Sequence, residues 1–82
     1  MAVEVRFFIP IGQLMGKSEK YHVEKGTILK EILEEIAKKY PAFDYLSSEE
    51  KYLFLINGLV ANLESRIVEN DVLTLLQPMI GG

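Results

Sequence analysis

The stretch Gly26–Pro41, GTILKEILEEIAKKYP, contains the one clear helical pattern in this 82-residue sequence. Its apolar residues recur at helical spacing and form a single stripe, which consists of Leu29, Ile32, Leu33, Ile36 and Tyr40. Thr27 is expected to be the N-cap of the helix, and Pro41 to end it. Because a lone helix with one apolar stripe must cover one face of a sheet, this stretch predicts a two-layer α+β domain.

Two strand patterns precede the helix. In residues 3–9 the odd positions are apolar and face the predicted core, whereas Phe8 emerges on the opposite face. A second strand is predicted over about residues 19–24, with Tyr21 and Val23 facing inward. Since the two strands are neighbours in the sequence, they should form an antiparallel hairpin with a long loop.

Three further strands are predicted after the helix. Residues 42–51 are an irregular connection, and its apolar residues should lie against the core edge; they are Phe43, Tyr45 and Leu46. Residues 52–56 form a continuous apolar run, as in a strand that is covered on most of its length. Asn57-Gly58 is a strong turn signal because both residues tolerate positive φ. A short strand at Leu59-Val60 and a final strand at Val72–Leu76 complete the pattern.

The first and last strands have strongly apolar inward faces, so we place them side by side in the middle of a mixed sheet of four to five strands. Residues 1–76 are then the folded domain, and residues 77–82 leave a central strand as a flexible tail. In this arrangement Leu76 faces outward, on the same side of the sheet as Phe8.

Composition excludes several classes of protein. The net charge is −3, and nine basic residues are scattered among twelve acidic ones, which argues against binding to nucleic acid. No stretch approaches the roughly 20 apolar residues of a membrane span, and the start of the sequence has no signal-peptide pattern. The absence of cysteine excludes disulfides and thiol nucleophiles and fits a reducing compartment. We therefore expect a cytoplasmic protein.

The side chains offer little chemistry of their own. The only histidine, His22, lies on the outward face of a strand without an evident metal-ligand partner. The glycines near Lys17 do not have the spacing of a phosphate-binding loop, and they lead into a strand rather than a helix. We expect no metal, no bound cofactor and no active site within the chain itself.

The final residues are the better candidate for a reactive group. Pro78, Met79, Ile80, Gly81 and Gly82 follow the last strand with no polar spacer after the proline. The glycines keep the end narrow, and the α-carboxylate of Gly82 is free of neighbouring side-chain bulk. The six residues after the last strand can extend roughly 20 Å, enough to enter a covered channel in a partner enzyme.

These features together resemble the MoaD/ThiS-like sulfur carriers of the ubiquitin-like β-grasp superfamily, and most closely the small subunit of molybdopterin synthase. The matching features are the opening strand 3–9, the Gly26-Thr27 helix start, Asn57 after the third long strand, Asp71 before the last strand, and Pro78 ahead of Gly81-Gly82. The resemblance implies a β-grasp fold with one main helix packed on one face of the sheet. Asn70-Asp71 stands where close members of the family often have Gly-Asp.

The resemblance also implies a function. An activating enzyme of the MoeB or ubiquitin-activating type would use ATP to adenylate Gly82, which would then become a thiocarboxylate. The tail would next enter the large subunit of molybdopterin synthase and donate sulfur for molybdenum or tungsten cofactor biosynthesis. Three alternatives stay open: a sulfur carrier for tRNA thiolation, a protein modifier joined to lysine, and a non-covalent ubiquitin-like binding module.

The outward apolar residues are candidates for partner binding. Phe8, Val60 and Leu76 should form a patch on the face away from the helix, beside the exit of the tail. Met79 and Ile80 would extend this patch into the tail. Contiguous exposed apolar surface usually marks an interface, so we expect both partner enzymes to dock here.

Overall fold

A computed structural model describes residues 1–78 of the chain. Its elements, in chain order, are β1 (Ala2–Phe8), β2 (Ser18–His22), α1 (Leu29–Lys39), a 3₁₀ turn (Tyr45–Ser47), α2 (Ser48–Lys51), β3 (Leu53–Ile56), β4 (Leu59–Ala61) and β5 (Val72–Leu76). The strands form one sheet in the order β2-β1-β5-β3-β4. β1 and β5 lie side by side in its middle and are parallel, while the other neighbours are antiparallel. The predicted mixed sheet is confirmed, with five strands.

The core lies between α1 and one face of this sheet. Alternate residues of the two central strands are buried together with the helix stripe; among them are Val3, Val5, Phe7, Leu73, Leu75, Leu29, Ile32, Leu33 and Ile36. This arrangement follows from the two periodicities in the sequence, two residues in the strands and 3.6 in the helix. No helix within residues 1–78 has the length and apolar character needed to cross a bilayer.

A polar network ties the β3–β4 turn to the start of β5. Asn57 has a φ of 51°, and its side-chain amide donates a hydrogen bond of 2.8 Å to Oδ1 of Asp71. The Val72 N–H donates to Oδ1 of the same Asn57 side chain at 2.9 Å. The second carboxylate oxygen of Asp71, Oδ2, accepts from the Val68 N–H at 2.9 Å. Since Asp71 is buried, these bonds satisfy a carboxylate that burial would otherwise penalise, and they fix the place where β5 begins.

The prediction that Thr27 caps the helix is wrong. The helix begins at Leu29, with Ile28 in the N-cap position and no side-chain hydrogen bond to the helix start. The hydroxyl of Thr27 donates instead to the carbonyl of Glu24 at 2.6 Å, which closes the turn before the helix. The same residue type can stabilise a turn or a cap, and here the turn uses its hydroxyl.

The connection between α1 and β3 is more regular than predicted, because it contains the 3₁₀ turn and α2. Phe43 is buried as expected, and its ring stacks on that of Tyr52 with the centroids 5.3 Å apart. Leu46 is 84% exposed, so its predicted place against the core edge is wrong. The stacked pair of rings already occupies this edge of the core.

Candidate docking face and tail exit

The tail leaves the sheet at its centre. β5 ends at Leu76, and the next residue, Gln77, donates its N–H to the carbonyl of Phe8 at 3.2 Å. This bond holds the exit beside the end of β1. Pro78 follows and has no N–H with which to continue the ladder. The predicted tail residues Met79, Ile80, Gly81 and Gly82 lie outside the described residues.

A row of three apolar side chains crosses the outer face of the sheet beside this exit. Phe8 lies directly opposite Leu76 in the parallel pair of β1 and β5, and Leu76 lies opposite Leu53 in the antiparallel pair of β5 and β3. Residues directly opposite each other project from the same face, and their side chains are in contact range. Phe8 is 43% exposed and Leu53 is 36% exposed.

A second row adds apolar surface next to the first. Leu55 lies opposite Val60 of the edge strand β4, and Val60 is 74% exposed. We call Phe8, Leu53, Leu55, Val60 and Leu76 together the outer patch. The three residues singled out in the sequence, Phe8, Val60 and Leu76, thus share one face; their role in binding stays a prediction.

Two members of the outer patch, Leu53 and Leu55, were missed in the sequence. Residues 52–56 were predicted to form a strand covered on most of its length, but among residues 1–78 only α1 packs on the sheet as a helical layer, and it lies on the other face. Phe54 is buried toward α1, while Leu53 projects to the solvent. The sequence did contain a clue to this exposure. A strand that is apolar on both faces needs a packing layer on each side of the sheet, and the sequence predicts only one helix to supply such a layer.

The charged residues beside the patch, Arg6 and Glu4, neutralise each other in an ion pair. Arg6, in β1, is level with Thr74 in β5 and forms an ion pair with Glu4. The hydrogen bond from Arg6 holds the pKa of the Glu4 carboxyl below its usual range, so this carboxylate stays charged and paired at neutral pH. An apolar centre with a charged, solvated rim is the common anatomy of a protein interface.

Side chains with catalytic potential are not gathered at this face. His22 is exposed at the end of β2, on an edge strand of the sheet, as the outward position predicted. Within residues 1–78, no group of three His, Asp or Glu side chains is arranged to hold a metal ion. The arrangement supplies a surface on which a partner can dock and a strand end from which a tail can be presented.

Comparison with known proteins gives a family and several related folds. The model of the ThiS family matches residues 5–82. SAMP1 from Haloferax volcanii superposes with a TM-score of 0.78 at 21% identity, over 100% of each chain. A proposed molybdopterin converting factor subunit 1 from Pyrococcus furiosus gives 0.76 at 20% identity, over 95% of this chain and 98% of that one. These likenesses confirm the β-grasp fold.

A further solved structure is a complex of subunits 1 and 2 of the molybdopterin-converting factor from Helicobacter pylori. Its matching chain is 28% identical, with a TM-score of 0.63 over 100% of both chains. Among curated proteins, no sequence matches that of this chain.

Proposed function

The chain belongs to the ThiS family, and from this membership we propose that it carries sulfur on the C-terminal carboxyl of Gly82 as the small subunit of a molybdopterin synthase. The resemblance to ubiquitin-like sulfur carriers noted in the sequence is confirmed by this match. The observation that carries the proposal is the outer patch beside the tail exit, on a chain whose family match extends to Gly82. The protein is then a carrier for other enzymes rather than a catalyst.

The proposed chemistry needs Gly82 to be the last residue of the mature protein. Its carboxylate oxygen attacks the α-phosphate of ATP in the activating enzyme, forming an acyl-adenylate and releasing pyrophosphate. Hydrosulfide held by the partner then attacks the acyl carbon, its sulfur forms the C–S bond as AMP leaves, and loss of the S–H proton gives the thiocarboxylate. The chain itself binds no cofactor in this scheme, and ATP belongs to the activating enzyme.

The geometry supports this scheme in two ways. Since β5 is a central strand fixed to β1 and β3, the point at which the tail leaves the domain has a defined position. The outer patch begins at this point with Leu76, so a partner that covers the patch also receives the tail. The synthase large subunit is the proposed acceptor partner, and the H. pylori complex joins a related subunit 1 to a subunit 2.

The test is sulfur loading with purified components. The chain is incubated with its cognate activating enzyme, ATP and a sulfur donor, and its intact mass is measured. We expect a gain of about 16 Da, one oxygen exchanged for one sulfur, located on Gly82. When the large subunit and a cyclic pterin precursor are added, the loaded chain should donate its sulfur to the precursor, which is converted to molybdopterin. No mass gain with an active enzyme would reject the carrier function.

Two other uses of the same end are distinguished by the acceptor. Mass gain without pterin conversion, but with sulfur transfer to tRNA in the presence of a tRNA thiolase, would identify a carrier for tRNA thiolation. A ubiquitin-like modifier would instead leave Gly82 joined to lysine side chains, and peptides carrying this isopeptide bond would be found in cell extracts. Both the carrier for tRNA thiolation and the modifier would consist of a β-grasp domain followed by a Gly-Gly end, so only the acceptor distinguishes them.

A further inference from the structure

A cavity of about 380 Å³ lies at the end of the sheet opposite to the tail exit. Its walls come from the start of β1, the loop before α1 and the loop before β5. Because β1 and β5 are parallel, both begin at this end, and the seven residues of β1 place it roughly 20 Å from Phe8. The cavity and the tail exit therefore lie at opposite ends of the two central strands.

The walls of the cavity are held in place by hydrogen bonds between distant parts of the chain. The N–H of Ile67 donates to the carbonyl of Thr27 at 2.9 Å, joining the loops before β5 and α1. The N–H of Ala2 donates to Oε2 of Glu69 at 2.8 Å, joining β1 to the loop before β5. A site with fixed walls binds without first having to order them.

The lining combines an apolar interior with positive charge. Met1 and Val68 supply the accessible apolar surface, and Val68 is 58% exposed, whereas Ile67 is only 2% exposed and belongs to the core behind them. Lys25 and Arg66 also line the cavity, and both are exposed. The ion pairs found within residues 1–78 involve other cations, so neither Lys25 nor Arg66 forms an ion pair within this part of the chain.

These two positive charges lie together on a chain whose overall net charge is negative, −3. The one carboxylate in the lining, that of Glu69, already accepts the hydrogen bond from Ala2. The surface that complements this end of the domain is consequently apolar at its centre and acidic at its rim.

The geometry points to a second docking site, which takes an acidic segment of a partner protein. One apolar side chain of the segment enters the cavity between Met1 and Val68, and flanking carboxylates pair with Lys25 and Arg66. A peptide fits better than a free small anion, because the cavity is open to solvent and its cations are exposed. A chain with an apolar residue between acidic ones meets the interior and both cations at once.

The test uses a blocked seven-residue peptide with a central Leu flanked on both sides by Glu. Amide shifts of the ¹⁵N-labelled full chain are followed by NMR as the peptide is added. We expect changes in residues 2, 25–27 and 66–69, and none at the outer patch. Added salt should weaken binding. Peptides with Lys in place of Glu, or Gly in place of Leu, should each bind at least about tenfold more weakly.

Charge-reversal variants provide the matched control. The double variant Lys25→Glu, Arg66→Glu should lose peptide binding, while Lys20→Glu, Lys30→Glu makes the same change in net charge elsewhere and should keep it. The proposal is overturned if the peptide causes no localised shifts, if both double variants bind alike, or if 4-methylpentanoate binds as tightly as the peptide. Sulfur loading is not used in this test, so its result stands whatever becomes of the carrier function.

Discussion

Two adjacent phenylalanines lie on opposite faces of the sheet, and only Phe8 is a proposed docking residue. Phe7 is buried in the core, whereas Phe8 is 43% exposed in the outer patch. We expect Phe7→Ala to lower the free energy of unfolding by about 3–5 kcal/mol, as for other buried aromatic residues. Phe8→Asp should change it by no more than about 1 kcal/mol, yet weaken binding to the activating enzyme by at least about thirtyfold, the effect of an interface hot spot. Urea unfolding and titration calorimetry measure the two quantities.

The control for this pair is Leu46→Asp. Leu46 is even more exposed than Phe8, and it lies in the 3₁₀ turn rather than on the sheet face. The same substitution there should leave both stability and binding unchanged. Equal binding by the Phe8→Asp protein and the parent would show that the outer patch is not the docking face.

Single residues also show how far the sequence can be interpreted. Asn70 has a φ of 67°, in the left-handed region that asparagine tolerates better than most residues. The turn before Asp71 therefore forms without a glycine at this position. Thr27 shows the limit, because its hydroxyl could serve the helix start or the preceding turn. Only the three-dimensional path of residues 24–28 decides between them.

The edge strand β2 is fastened to the end of α1 through one carboxylate. Oε2 of Glu19 accepts hydrogen bonds from the Tyr40 hydroxyl at 2.6 Å and from Nζ of Lys39 at 3.0 Å, and the Glu19 side chain is only 14% exposed. Burial alone would raise the pKa of Glu19, but these bonds to the charged form outweigh it and lower the pKa below its ordinary value of 4.5. The folded protein is thus stabilised by the ionised form.

This linkage predicts a specific pH dependence. Since the pKa of Glu19 is lower in the folded than in the unfolded chain, its contribution is complete above pH 4.5 and is lost as the pH falls through the folded-state value. Glu19→Gln should cost about 2 kcal/mol at neutral pH, the usual worth of hydrogen bonds to a charged group. The difference from the parent should shrink toward zero in acid. Urea unfolding at neutral pH and in acid measures the stability difference between the parent and Glu19→Gln, with the exposed Glu50→Gln as control. A stability difference that is the same at neutral pH and in acid contradicts the prediction.

The elements that the sequence predicted well are those with one buried face. The stripe of α1 and the alternation in β1 each have one arrangement that buries the apolar residues, and the central pairing of β1 with β5 follows from them. β3 was harder, because its apolar run has no alternation to show which residues face the helix. A run of this kind does not reveal whether the layer that packs on its second face comes from the same chain or from a partner protein.

In the proposed function the docking surface and the reactive group belong to different parts of the chain, since the core and the outer patch lie within residues 3–76 and the proposed reactive carboxyl lies on Gly82. A chain that ends at Ile80 should therefore unfold at the same temperature as the parent and gain no sulfur. It should still cover the docking face of the activating enzyme, and so slow the loading of the full chain in proportion to its concentration. The same truncated chain with Phe8→Asp should not inhibit. Thermal unfolding compares the stability of the truncated and full chains, and intact mass over time measures the sulfur gained by each chain and the inhibition of loading. Equal inhibition by both truncated chains would place the docking contacts elsewhere than on the outer patch.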